Sequence, residues 1–238
     1  MIDLLFLAHN RLEFTRSCVW ALWANTDWSL VQRVLLYDDG STDGTQEFLR
    51  DFRLPVETHF TTGSWGSPVA VMNHAIEQIG RGSVLAKIDN DVMVPPGWLH
   101  ECLQVMNWHP ELDLLGIEAM YPVDGSCSDS ICDPDGTFTA AVRSPVPALY
   151  IGGIGLMRTR AFQTFPEPQG RFGFTAWQDK NPQVQKAWLS PSLPVCLLDR
   201  VPFEPWTSLS AEYVAKGWQR PWPPYSKNDS ALWGWWAK

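Results

Sequence analysis

No apolar run in the 238-residue sequence approaches the roughly 20 residues that a membrane-spanning helix needs. The first residues, Met1-Ile2-Asp3-Leu4, lack the basic segment and the length of a secretory signal, so a cytoplasmic protein without a membrane span is expected. Cysteine is scarce. The five cysteines are an odd count and are scattered, which argues against a disulfide framework and for a reducing compartment. Cys127 and Cys132 stand close together, but no second pair completes a zinc site, and two loop thiols are the expectation. Positive charge is also short. Against 26 acidic residues there are 18 Lys and Arg, and the net charge of −8 argues against a general nucleic-acid surface while leaving room for a local basic groove. The five histidines never fall at the His-x-x-x-His spacing of a helical metal pair, and there is neither an internal repeat nor a charged low-complexity segment. With 45% hydrophobic and 18% charged residues, the chain reads as one large folded domain or a domain with an appendage.

Two acidic clusters stand out against that background. Asp38-Asp39-Gly40-Ser41-Thr42-Asp43 follows the apolar run Val34-Leu35-Leu36-Tyr37, and Asp89-Asn90-Asp91 follows Ser83-Val84-Leu85-Ala86-Lys87-Ile88. Carboxylates are costly to bury, so acids placed where a buried strand runs out into a loop are expected to face a ligand or a cation. Two such sites on neighbouring strands would converge on one crevice, a geometry suited to a metal-chelated diphosphate.

The elements alternate. Leu4 to Ala8 reads as a strand buried on both faces, and Phe14, Cys18, Ala21 and Leu22 recur at helical spacing up to Asn25. Val31 to Tyr37 is the second strand, with Asp43 and Gln46 marking a helix start, and Leu54 to Phe60 is the third. After Thr62-Gly63-Ser64-Trp65-Gly66, Ser67 and Pro68 open a helix with its stripe at Val69, Met72, Ile76 and Ile79. Strand four ends at Ile88, and Leu99, Cys102, Leu103 and Met106 mark a further helix. This β-α-β-α-β-α-β order predicts an α/β fold with a central, mostly parallel sheet and right-handed crossovers. Beyond it, Leu114 to Ile117 reads as a strand, residues 121–146 as a loop or irregular hairpin, Ala148 to Met157 as an apolar segment and Arg158 to Phe165 as a short helix.

In order, Ala8-His9-Asn10-Arg11, Asp38-Asp39-Gly40-Ser41-Thr42-Asp43-Gly44-Thr45, Asn73-His74-Ala75-Ile76 and Asp89-Asn90-Asp91 resemble the family 2 glycosyltransferases of the GT-A fold, a Rossmann-like nucleotide-diphospho-sugar transferase fold. The resemblance is dense over residues 2–108 and traceable to about residue 200. It implies a nucleotide-sugar donor, a divalent Mn2+ or Mg2+ ion and an inverting transfer. The loop from Leu7 through Ala8 to Asn10 would lie at the nucleotide base, or else serve as a strand-helix turn with Asn10 as its cap. Asp39 matches the acid that accepts hydrogen bonds from the base, and Asp38 either joins it or fixes the turn through backbone amides. Asn73 belongs to the same set of donor positions. Asp91 would ligate the ion, while Asp89 would ligate it too or contact the ribose or a metal-bound water, with Asn90 between them. In Phe174-Thr175-Ala176-Trp177-Gln178-Asp179, Gln178 replaces the family's usual glutamate and Asp179 is the general base expected for the acceptor hydroxyl, its other reading being a helix N-terminal charge. Gly152-Gly153-Ile154-Gly155 would let backbone approach the sugar, or relieve crowding in a twisted strand. No histidine follows His109, so the C-terminal metal-binding histidine of some GT-A enzymes is missing; Asp199 is a substitute ligand or a loop ion pair.

The expected division is a GT-A domain over 1–205, with a donor half at 1–108 and an acceptor half at 109–205, followed by a Trp- and Pro-rich extension at 206–238. The acceptor is open among glycan, lipid-linked sugar, protein and modified nucleobase. Two other readings remain beside the transferase. A nucleotidyltransferase usually needs a glycine-rich basic loop after the first strand, which Leu7-Ala8-His9-Asn10 does not offer. A catalytically inactive nucleotide- or carbohydrate-binding module would use the aromatic extension as a sugar platform. That extension carries Trp206, Trp218, Trp222, Trp233, Trp235 and Trp236, apolar area large enough to predict that it packs on the core. Deleting 206–238 should therefore lower the melting temperature of the whole domain. Early proteolytic loss of 206–238 that leaves the melting temperature unchanged would instead identify a detachable arm.

Overall fold

The computed structural model describes residues 1–79, 84–117, 129–131, 140–143, 153–161, 177–178, 181–190 and 196–197. Asp179, Asp199, Gly152, Cys127, Cys132, the extension at 206–238 and most of 121–146 lie outside these described residues.

Strand β1 (Ile2–Ala8) is buried along its whole length, as its unbroken apolar sequence requires. Its side chains alternate between two cores. Leu4, Phe6 and Ala8 enter one, with Phe14, Cys18, Val19 and Leu22 of α1 (Leu12–Asn25), Leu49 of α2 (Thr45–Asp51) and Trp98, Leu99 and Cys102 of α4 (Trp98–Trp108). Leu5 and Leu7 enter the other, with Val69, Met72, Ala75 and Ile79 of α3 (Pro68–Ile79). Helices thus cover both faces of the sheet.

Nine strands form that sheet among the described residues. Besides β1 these are β2 (Val31–Asp38), β3 (Glu57–Thr62), β4 (Val84–Asp89), β6 (Leu114–Gly116), β7 (Asp129–Ile131), β8 (Ala140–Arg143), β9 (Ile154–Arg158) and β10 (Lys186–Ser190), in the order β3-β2-β1-β4-β9-β6-β10-β8-β7. The quartet β3-β2-β1-β4 is parallel throughout. Following the pairings across the sheet, only β9 and β8 run against the other strands, so the sheet is mostly unidirectional, as expected. A separate two-stranded ribbon pairs β5 (Val92–Met93) with β11 (Cys196–Leu197) just past the second acidic cluster.

Several boundaries differ from the sequence reading for local reasons. The third strand begins at Glu57 rather than Leu54, because Pro55 has no N–H to give a ladder and leaves Leu54 as a buried loop residue. Within 121–146, β7 and β8 pair antiparallel, in keeping with the irregular hairpin. After β9 the described chain makes a single 3-10 turn at Thr159–Ala161 where a short helix was expected. Ser67 does cap α3, accepting from the Ala70 amide at 3.1 Å.

Asp43 acts one position earlier than a simple cap. Gly44, at φ 94, occupies the N-cap position of α2, a left-handed conformation that suits glycine. Asp43 Oδ1 accepts from the Thr45 amide at 3.1 Å, and Oδ2 reaches across to the Leu12 amide at 2.9 Å, tying the start of α1 to the start of α2. Burial acts to raise the Asp43 pKa, but hydrogen bonds from Thr45 and Leu12 outweigh it and hold the carboxyl below its ordinary value of 3.8. A depressed folded-state pKa gives stability that is complete above the unfolded value and is lost as pH falls through the folded one. The stability difference between wild type and Asp43→Asn, followed by urea denaturation, should therefore be constant above the unfolded value and shrink on further acidification. A difference that grows toward acid would contradict this assignment.

Candidate functional site

The register of the parallel quartet decides where the acids go. Ala8, the last residue of β1, pairs with Asp38 on β2, and its neighbour Leu7 pairs with Asp89 on β4. The two acidic clusters therefore flank the carboxyl end of one strand. At β1 the crossovers diverge, α1 leading outward toward β2 and α3 returning toward β4, so this is the topological switch point where open α/β sheets form a crevice. A cleft of about 600 Å3 opens there. Ala8, Asp39, Asp89, Asn90 and Asp91 line it, together with His9, Arg11, Tyr37 and, from the loop before α3, Ser64, Gly66 and Ser67.

The first cluster divides its labour. Asp38 is fully buried, and its Oδ1 accepts from the Ser41 amide at 2.9 Å and lies 3.5 Å from the Thr62 hydroxyl. It shapes the turn and is not among the cleft-lining residues. Asp39 does face the cleft. Its Oδ1 accepts from the Trp65 and Gly66 amides at 2.6 and 3.0 Å, which fixes the loop before α3 and leaves Oδ2 available to a ligand. Beside it, Tyr37, Trp65 and His74 pack ring against ring with centroids 5.5 to 5.7 Å apart, and the Tyr37 hydroxyl shares a 2.9 Å hydrogen bond with His74 Nδ1. Burial pushes the Tyr37 phenol up, so it is a neutral hydrogen-bonding group.

Asn10 is a turn residue. It has φ 53 and Arg11 has φ 63, and the Asn10 side-chain oxygen accepts from the Thr42 amide while its own amide donates to Ser41 Oγ. Asn90, although it lines the cleft, uses its Nδ2 to bridge Asn10 O at 2.7 Å and Thr15 Oγ1 at 2.9 Å. The middle residue of Asp89-Asn90-Asp91 thus ties the end of β4 to the β1–α1 turn. Asn73 sits on α3 outside the cleft lining.

The outer two residues of that triplet present the carboxylates. Lys87 Nζ lies 2.6 Å from Asp89 Oδ1, and Arg11 Nη1 lies 2.9 Å from Asp91 Oδ2. Desolvation raises the Asp89 pKa above the usual carboxylate value, Lys87 opposes it and Asp91 reinforces it. Gly153, whose carbonyl accepts from the Asp89 amide at 2.8 Å, approaches so closely that a Cβ there would stand 3.3 Å from Asp89 Oδ2 and 3.0 Å from Val92 Cγ2. Among the described residues no group of three or more His, Cys, Asp and Glu gathers as a metal site. Two carboxylates open on one cleft nevertheless fit Mg2+ or Mn2+, which commonly take one or two protein acids and complete their shell with phosphate and water oxygens.

The sequence reading missed Arg11 and Lys87 as partners of the acids. A lysine inside an otherwise apolar strand was the available signal for Lys87; Arg11 stood in the Ala8-His9-Asn10-Arg11 motif, but nothing in the local pattern paired it with Asp91. Asp179 falls outside the described residues, but Trp177 and Gln178 just before it are buried, and Asn181 just after it donates to the Trp177 carbonyl at 2.8 Å.

Residues 4–164 match the family described as glycosyl transferase family 2. The chain belongs to that family. A stretch of 133 residues is 29% identical to glycosyltransferase AglE of Haloferax volcanii, covering 54% of this chain and 43% of AglE. S. aureus TarS in complex with UDP-GlcNAc superposes with a TM-score of 0.60 at 17% identity, over 79% of this chain and 56% of that one. A mannosyltransferase from Pyrobaculum calidifontis, in complex with GDP-Man and Mn2+, gives 0.55 at 11%, over 79% and 56%. GalNAc-T7 with UDP, GalNAc and Mn2+ gives 0.57 at 11%, over 79% and 42%. The fold is GT-A, and the chain spans roughly half the length of these relatives. Among the described residues no helix is long and apolar enough to cross a membrane.

The bridge made by Asn90 is testable without any ligand. Asn90→Ala leaves Thr15 Oγ1 and the Asn10 carbonyl without their partner inside the protein, which should cost about 1–3 kcal/mol in urea denaturation. A loss within error of zero would show that the bridge does not hold the two loops together.

Proposed function

We propose that the protein is a metal-dependent, inverting glycosyltransferase that moves a sugar from a nucleoside-diphosphate sugar to an acceptor hydroxyl. The observation that carries this reading is the convergence of Asp39, Asp89 and Asp91 on one cleft at the end of β1. UDP is the nucleotide to test first, because TarS and GalNAc-T7 are both seen with uridine nucleotides. Residues 1–108 supply the donor side and 109–205 the acceptor side. A cytoplasmic setting fits the odd, scattered cysteines.

In this reading the free oxygen of Asp39 accepts from the nucleobase, whose edge lies against the backbone around Ala8. Asp89 and Asp91 would hold the divalent ion. A bound Mn2+ or Mg2+ supplies Lewis-acid charge neutralisation for the departing diphosphate. Asp179 takes the proton from the acceptor hydroxyl as that oxygen attacks the anomeric carbon from the side opposite the diphosphate. The new carbon–oxygen bond forms as the old one breaks, its electron pair leaves with the diphosphate, and the configuration inverts. Asp38 and Asn10 act from behind, by holding the loop shapes.

Ion and nucleotide share one site, so each should tighten the other. UDP should raise the melting temperature more in Mn2+ than in EDTA, and Asp91→Ala should abolish the difference. Asp179→Asn should retain this donor binding yet lose sugar transfer. Equal UDP shifts in Mn2+ and EDTA would sink the shared metal site. Unimpaired transfer by Asp179→Asn would remove that residue as the base.

A further inference from the structure

The two acids at the end of β4 each have a cation at hydrogen-bonding distance, and the two cations are anchored differently. Lys87 lies within β4, between β1 and β9, with its side chain only 5% exposed. Its ammonium group is enclosed beside Asp89, on a strand paired on both edges. Arg11 instead approaches Asp91 from the turn before α1, lining the cleft. About a fifth of each partner is open to solvent, at 18% for Arg11 and 22% for Asp91.

The backbone beneath Arg11 is fixed. Asn10 and Arg11 are both left-handed, an unfavourable state for two successive non-glycine residues. Ser41 Oγ, the Thr42 amide and Asn90 Nδ2 grip Asn10 from three directions. A change of partner by Arg11 therefore takes place in its side-chain torsions and not in the turn.

We propose that Arg11 is an exchangeable counter-ion of this site: it holds Asp91 while no divalent ion is bound, yields Asp91 when one enters, and turns its guanidinium to the diphosphate of the donor. The inference rests on the glycosyltransferase reading given above. Arg11 Nη1 and a divalent ion compete for the same carboxylate and repel each other at close range. Once displaced, the guanidinium still lines the cleft, where a diphosphate offers oxygens that match its forked donors. Arg11 thereby weakens the ion's binding when the ion comes alone and strengthens binding when ion and nucleotide come together. It is one source of their cooperativity.

The test uses the full chain with MnCl2 alone, UDP alone and both together, in wild type, Arg11→Met and Arg11→Lys, with dissociation constants from calorimetry. Arg11→Met should bind Mn2+ alone roughly two- to fivefold more tightly, the scale of a partly exposed ion pair. It should bind UDP in Mn2+ less tightly than wild type, so that the mutual tightening of the two ligands falls. Arg11→Lys keeps the charge without the fork, and should leave Mn2+ binding near wild type while weakening UDP. Mn2+ affinity that is unchanged or lower in Arg11→Met, in protein melting with wild type, overturns the inference; wild-type coupling of UDP to Mn2+ then leaves the glycosyltransferase reading standing. Should Arg11→Met fail to fold, UDP binding by Arg11→Lys equal to wild type in Mn2+ overturns it. Wild-type protein that binds neither Mn2+ nor UDP overturns the reading and the inference together.

Discussion

The parallel register at the end of β1 is the constraint on which the rest of the site depends. Ala8 faces Asp38 on one side, and Leu7 faces Asp89 on the other. A one-residue slip on either side would send the alternating side chains of β1 into the wrong cores and pull one acidic cluster out of line with the other. The apolar residues that set the register, Leu4, Phe6, Leu36 and Ile88 among them, thus position the acids without touching a ligand. Hydrophobic burial holds the frame, and the polar loops only finish it.

Those loops are tied to one another more than to their own strands. Asn10 meets Ser41 and Thr42, Asn90 meets Asn10 and Thr15, Asp43 meets Leu12, and Asp39 meets the amides of Trp65 and Gly66. Asparagine and aspartate serve here because short polar side chains can accept from, or donate to, a neighbouring backbone. The outcome is a rim of four strand-end loops locked by side-chain-to-backbone bonds. Within it only Asp39, Asp89 and Asp91 turn carboxylates toward the cleft, and the last two do so with Lys87 and Arg11 alongside. Pre-orientation of this kind limits the rearrangement that binding a charged ligand requires.

Much of this was readable along the chain. The unbroken apolar runs at Leu4 to Ala8 and Val34 to Tyr37 announced strands buried on both faces, and the acids directly after such runs announced strand-end chemistry. Periodicity located α1, α3 and α4 to within a turn, because their stripes at Phe14–Leu22, Val69–Ile79 and Leu99–Met106 pack on those strands. Local pattern was less informative where the chain turns. Pro55 moved a strand boundary, and Gly44 shifted the helix start beyond Asp43. Acidic residues that look alike in sequence also parted company: Asp38 went to the turn and Asp39 to the cleft, since side chains of consecutive residues leaving a strand point in opposite directions.

The sequence by itself determined the alternation of strands and helices, the membership in glycosyl transferase family 2 and the identity of the acids at the strand ends. These are properties of short windows or of ordered motifs, and burial patterns write them directly into residue type. Only the tertiary structure decided which acids share the cleft, and that Asp89 and Asp91 stand beside Lys87 and Arg11. The Arg11–Asp91 contact joins two loops separated by three complete crossovers, and its distance of 2.9 Å depends on how β1 and β4 pair and on a left-handed turn at Asn10 and Arg11. No spacing along the chain encodes such a contact, because it arises from the direct pairing of β1 with β4, two strands far apart in sequence.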